Sequence, residues 1–289
     1  MSPRSAIDQS WVSVPVDAID GIRVGIGGWD FKPWRTDFYP QGLVHRRELE
    51  YASRHISSIE INSTYYRPQT PATYARWRDD TPDGFMFSAK APMRIMQSRA
   101  LSKTGPQVQD FIGGIAELGE KLGPLLWQFD GGPALRHQAF AEFCALMPSQ
   151  ANGRTLRHVI DMRDRGVVDA AFIKLVRHHG FATVCTDSPD YPSFADVTAD
   201  FAYARLMRSR SDIASGFTTG ELKACATPPP THVVPVAGSP AANPALRLAR
   251  SNSSSGPPCP SLRTRTLRNR RLRTWPGWHR RPSRAARHR

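Results

Sequence analysis

All 25 acidic residues of this 289-residue chain lie at or before Glu221; none follows it. The remaining stretch holds Lys223 and thirteen arginines, 14 of the 39 basic residues, so residues 1–221 carry 25 basic against 25 acidic groups and are neutral. The net charge of +14 therefore belongs to the C-terminal stretch and gives the rest of the chain no basic footprint for nucleic acid. Cysteine is scarce as well. Cys144, Cys185, Cys225 and Cys259 lie far apart, with no CxxC pair, which excludes a disulfide framework and points to a reducing cytoplasm. No apolar run approaches the length that spans a bilayer. The first twenty residues contain acids and no continuous apolar segment, so neither a secretory signal nor a membrane partner is expected.

The loss of acids divides the chain. Residues 1–20 read as an N-terminal extension, 21–225 as a folded domain and 226–289 as an irregular Pro/Arg-rich tail. The tail keeps no period of 3.6 or 2 and has no face to bury. One explanation is a disordered basic arm that holds phosphate backbones by counterion release. The other is a frameshift, because a GC-rich gene read out of frame yields Arg, Pro, Ala, Ser and Gly; the near-absence of lysine among so many arginines favours it.

Between residues 21 and 225 the pattern alternates. Strand-like apolar runs stand at Ile22–Ile26, Ser58–Ile61, Phe85–Ala89, Leu125–Phe129, His158–Met162, Ala182–Thr186 and Phe201–Leu206. Helical spacing appears at Leu43–Arg54, Pro71–Arg78, Val108–Lys121, His137–Leu146 and Val168–His179, with Gly180 as a C-terminal stop. Alternating strand and helix implies a parallel sheet with right-handed crossovers, and an eighth strand would close it into a barrel. Gly25, Gly27 and Gly28 follow the first strand, yet Asp30 stands where a dinucleotide fingerprint needs its third glycine, and the aromatic run WDFKPWRTDFYP replaces the opening helix. The glycines read instead as a tight turn.

GIGGWDFKPWRTDFYP, IEINSTYYRPQTPATYARW, GFMFSAKAP, KLGPLLWQF, HVIDMRD and TADFAYARLM occur in the order seen in the domain of unknown function 72 (YecE-like) family, which residues 21–225 resemble. The resemblance implies an α/β, TIM-barrel-like (β/α)8 fold and implies no particular reaction or cofactor. The chain also departs from the family. Arg163 and Asp164 are followed by RGV where many members have Arg-His and an aromatic residue, and Met207 and Arg208 stand where many have His-Gly. Where members continue into a final aromatic-rich strand, this chain enters the Pro/Arg tail. The barrel is accordingly expected to be incomplete: VVPV at 233–236 is interrupted by Pro235, which has no ladder donor.

Barrel active sites form at the carboxyl ends of strands, and alternation along a strand gives the phase of each side chain. Ile59 and Ile61 suit the helix side, placing Glu60 and Asn62 inward; the same logic groups Ser88 with Lys90, Leu126 with Gln128, Val159 with Asp161 and Arg163, Cys185 with Asp187, and Tyr203 with Arg205. Such charges also suit a structural ion network. Their convergence at strand ends favours a site with Glu60, Asp161 and Lys90 as catalytic groups and Trp29, Asn62, Tyr65, Gln128, Arg163, Asp187 and Arg205 as substrate-binding groups. Lys90, Arg163 and Arg205 suit a phosphate or carboxylate, while Glu60 and Asp161 suit proton exchange. Lys90 can act as a Schiff-base lysine only if its pKa is lowered. Convergent histidines are lacking, so no metal is assigned.

These residues point to a hydrolase or proton-transfer enzyme acting on a small anionic substrate or a phosphate-bearing polymer. The alternative is a noncatalytic barrel binding a ligand or nucleic acid, for which the basic tail is weak support. If the frameshift is real, another frame read from codons 222–232 encodes acidic residues and an aromatic, β-branched strand. Resequencing checks this, and stops in the other frames contradict it.

Overall fold

The first strand, β1, is Gly25–Gly27, followed by β2 Ser58–Ile61, β3 Met86–Lys90, β4 Leu122–Phe129, β5 His158–Met162, β6 Ala182–Thr186 and β7 Ala202–Leu206. Each pairs in parallel with the next, and the seven curl into a TIM-barrel-like sheet. The structure is a computed structural model that describes residues 21–131, 137–194, 197–213, 215–225 and 233–237. The N-terminal extension and tail residues 226–232 and 238–289 lie outside the described residues.

The expected seven-stranded parallel sheet is present, and a short segment beyond residue 225 pairs with both of its edges. Val233–Ala237, β8, pairs in parallel with β7 and with β1, giving a closed ring. Pro235 lies opposite Ala204, while pairing with β1 begins one residue later, at Gly25 opposite Val236. The missing N–H thus falls at the margin of the β1 ladder, where a proline removes at most one rung.

Local chemistry sets the helix limits. Pro71–Asp80 starts with proline after Thr70, whose side chain accepts the Thr73 N–H. Ala170–His178 is capped by Asp169, which accepts the Phe172 N–H at 2.9 Å, and it buries Phe172 and Val176. It stops before Gly180, whose φ of 66° is the left-handed conformation that glycine tolerates. At the end of β1, Gly28 adopts a φ of 79° and its N–H donates to the Glu60 carbonyl at 2.9 Å, so the glycine cluster is the expected turn.

Apolar residues form two cores. The larger packs helices against the outer face of the sheet through Ile59, Ile61, Phe87, Trp127, Ile160 and Phe172, among others. A smaller one, Leu126, Val159, Ala182, Val184, Phe201 and Tyr203, fills the barrel interior. Register corrects the phase expected for β6. Val159 pairs with Ala182, Val184 with Tyr203 and Thr186 with Arg205, and neighbours across a sheet face the same way. Ala182, Val184 and Thr186 therefore point inward, and Cys185 does not. A run as uniform in hydropathy as ATVCT gives no alternation from which to choose a phase.

His158 is buried at the start of β5, where its Nδ1 accepts from Trp127 Nε1 at 3.0 Å and its Nε2 donates to the Pro148 carbonyl at 2.8 Å. Burial holds its pKa down at about 4, well below the ordinary 6.5. Between these values the unfolded chain binds more protons than the folded one. The contribution is thus fully present above about pH 6.5 and is lost as pH falls towards 4, by up to about 3 kcal/mol. Urea unfolding between pH 7 and 4 should show this decline flattened in His158→Gln; parallel curves for both proteins would contradict it.

Candidate active site

Four strands contribute to one buried network. Arg205 on β7 donates from one terminal nitrogen to Asp161 Oδ2 on β5 and from the other to Glu60 Oε1 on β2, each at 3.1 Å. Tyr203, two residues earlier, donates its hydroxyl to Glu60 Oε2 at 2.7 Å, and its oxygen lies 2.9 Å from Ser88 Oγ on β3. Because Tyr203 donates to the carboxylate, Ser88 is the donor to Tyr203. Glu60 is completely buried and Asp161 is 5% exposed, so both carboxylates depend on these partners for the solvation water would give. Burial opposes the charge of Arg205, but Glu60 and Asp161 more than offset it and raise its pKa; Tyr203 is pushed well above 10.0, mainly by burial.

Arg163, just past β5, extends the network outward. Its Nε and Nη2 lie 3.4 Å from Asp161 Oδ2, Nη1 lies 3.7 Å from Asp130 Oδ1, and the guanidinium rests 4.3 Å from the centre of the Tyr191 ring. Lys90, at the carboxyl end of β3, is bonded differently. Its ammonium has no carboxylate within ion-pair distance among the described residues and sits 3.9 Å above the Tyr65 ring. Burial lowers its pKa to about 8; Arg205 and Arg163 add to the fall, which Glu60 and Asp161 only partly oppose. Tyr65 is shifted upward by burial first, then by Asp130 and Tyr66.

Two cavities adjoin this group. One of about 180 Å³ is lined by Tyr65, Tyr66, Pro92 and Gln97, among others, and the second, of about 100 Å³, by Gln97, Phe129, Asp130 and Gly131. They share Gln97. A larger cavity of about 320 Å³ lies at the opposite end of the sheet, between Glu120, Leu122 and Arg154, remote from this charge cluster.

Of the residues expected at a site, Glu60, Asp161, Arg163 and Arg205 are linked directly, with Lys90 and Tyr65 beside them. Gln128 donates to Asp130 Oδ1 at 2.8 Å, and its Oε1 is buried without a partner among the described residues. Asn62 lies near Gly27, where an added Cβ would come within 2.8 Å of its Nδ2. Two of the expected residues make their contacts away from this cluster. Asp187 accepts the backbone N–H groups of Met207 at 2.7 Å and Arg208 at 3.1 Å, a loop staple beyond β6. Trp29 packs edge-on against Trp77 at 5.0 Å and Phe87 at 6.5 Å, on the helix side of the sheet, because burying an indole against two rings outweighs leaving it at the mouth. Phe31, Trp34, Phe38 and Tyr39 continue this aromatic packing. Sequence reasoning did not select Asp130, Tyr191 or Gln97, which lie off the strands where no alternation marks a face.

The chain is thus a TIM-barrel-like α/β protein with a charged cluster at the carboxyl ends of its strands. It belongs to the family described as "Protein of unknown function DUF72", whose profile matches residues 23–230. It is 25% identical over 215 residues to the UPF0759 protein YecE of Escherichia coli (strain K12), a match covering 65% of this chain and 74% of the relative. In fold it is similar to a DUF72 family protein from Thermotoga maritima MSB8, with a TM-score of 0.62, 17% identity and coverage of 81% of this chain and 99% of the other. A DUF72 family protein from Enterococcus faecalis V583 gives a TM-score of 0.58 at 17% identity, covering 80% and 96%. No helix among the described residues is long and apolar enough to cross a membrane.

Arg205→Met should cost about 3–5 kcal/mol, since it leaves two buried carboxylates without their shared cation. Adding Glu60→Gln should recover part of that loss. Denaturant unfolding of the single and double variants checks the coupling; strictly additive losses would contradict it.

Proposed function

We propose that this chain is a barrel enzyme that performs acid/base chemistry on a small phosphate- or carboxylate-bearing substrate at the carboxyl ends of β3, β5 and β7. The observation that carries this reading is the difference in partnering between the cations and Lys90. Arg205 is committed to Glu60 and Asp161, whereas the Lys90 amine has no carboxylate within ion-pair distance among the described residues and stands beside the partly exposed Arg163. Arg163 holds the anion through its planar fork of donors. Lys90, with a pKa near working pH, exchanges the proton. Glu60 and Asp161 act through Arg205 as positioning groups, fixing the field in which Lys90 titrates.

One observation favours the noncatalytic alternative: Glu60 and Asp161 are already paired within the protein, as in a structural network. The two readings differ in turnover. A panel of phosphoesters, sugar phosphates and oxo acids should yield a substrate whose turnover falls at least a hundredfold in Lys90→Met, while Arg163→Ala chiefly raises KM. Because the reacting amine must be unprotonated, kcat/KM should rise with pH and level off above about 8. Binding without turnover, unchanged in Lys90→Met, would establish a binding protein instead.

A further inference from the structure

We propose that Lys90 is a nucleophile that forms an imine with a small anionic carbonyl compound, an oxo acid or a phosphorylated sugar; this rests on the reading of the barrel mouth given above. The geometry separates Lys90 from its neighbours. Arg205 and Arg163 each touch a carboxylate, which fixes their charge, whereas Lys90 Nζ faces the Tyr65 ring at 3.9 Å. A ring face attracts an ammonium but does not take its proton, and it weakens less on deprotonation than a buried ion pair would. Two guanidinium groups nearby also make the charged amine costly, so the neutral, nucleophilic form is accessible.

The surroundings suit a carbonyl compound with an anionic end. Arg163 retains 16% side-chain exposure and can take up a carboxylate or phosphate, and a cavity of about 180 Å³, lined by Tyr65, Pro92 and Gln97 and not by Lys90 or Arg163 themselves, adjoins Lys90 through the Tyr65 ring. The lone pair on Nζ attacks the carbonyl carbon, forming the C–N bond as the C=O π pair moves to oxygen. That oxygen takes one proton from the amine and one from the medium. The C–O bond then breaks and water leaves, giving an iminium on Lys90. Nothing is oxidised or reduced. The cationic nitrogen withdraws electrons from the neighbouring carbon, which makes loss of a proton from that carbon to solvent easier, so that Lys90 promotes the proton transfer through the imine rather than as a free base.

Reductive trapping tests the proposal on the full chain. The protein is incubated at pH 7 with sodium borohydride and, in separate arms, pyruvate and glyoxylate or glyceraldehyde 3-phosphate and dihydroxyacetone phosphate, followed by peptide mapping. The expected product carries the mass of the carbonyl compound less one oxygen, on Lys90, at least about tenfold above the exposed Lys103 and Lys174 in the same sample. The arm that labels identifies the anion, and Lys90→Arg loses the adduct. Equal labelling of Lys90, Lys103 and Lys174 overturns the proposal. Calorimetry on the same ligands separates the two levels. Binding that depends on Arg163 with no Lys90 adduct overturns the imine and leaves the acid/base reading, whereas absence of both overturns the two together.

Discussion

A single guanidinium holds the interior of this barrel together. Arg205 reaches from β7 to Glu60 on β2 and Asp161 on β5, so one side chain fixes three strands that are not neighbours in the ring. Each carboxylate is almost fully buried, and each would be untenable there without a cation and hydrogen bonds. The planar fork of arginine allows one group to serve both, where the compact charge of lysine would serve one. Tyr203 completes the arrangement by donating to the second oxygen of Glu60, and Ser88 donates in turn to Tyr203. This commitment of Arg205 also sets the chemistry at the rim. With both carboxylates engaged, Lys90 is left between two guanidinium groups and an aromatic face, an environment that disfavours its charge.

The outer layer makes such an interior affordable. Aromatic side chains from the loop after β1 pack with Trp77, Phe87 and Tyr51, and a second series runs through Trp127, Phe129, Phe140, Phe143 and Phe172. Their burial stabilises the contacts between helices and sheet, and the rigid sheet in turn keeps polar groups from different strands in register. The inner core is small by comparison, with Leu126, Val159, Ala182, Val184 and Phe201 beneath the polar tier.

Much of the fold was legible because the strands carry distinct signals. Ser58–Ile61, His158–Met162 and Ala182–Thr186 were readable to the residue, and the inward phase of Glu60, Asp161 and Arg205 followed from charged groups alternating with aliphatic ones. β8 was illegible because Pro235 argues against a strand, and only the space between β1 and β7 admits one there. Phase failed at β6, where every side chain suits either face. The partners of Asp187 were illegible for a related reason: a carboxylate just past a strand can serve a ligand or the backbone of the next loop, and here Met207 and Arg208 supply its N–H donors. The partners of Lys90 were also beyond sequence, since a lysine near two acids and two arginines can pair with either acid or with neither.

The central claim is that the committed Arg205 leaves Lys90 as a neutral-prone amine at the rim. Reductive methylation with ¹³C-formaldehyde, followed by NMR titration of the dimethyl-lysine signals, measures this directly when Lys90 is assigned by its loss in Lys90→Arg. Lys90 is expected to titrate near pH 8, well below the ordinary lysine value of about 10.4. A Lys90 signal that titrates at that ordinary value would contradict it.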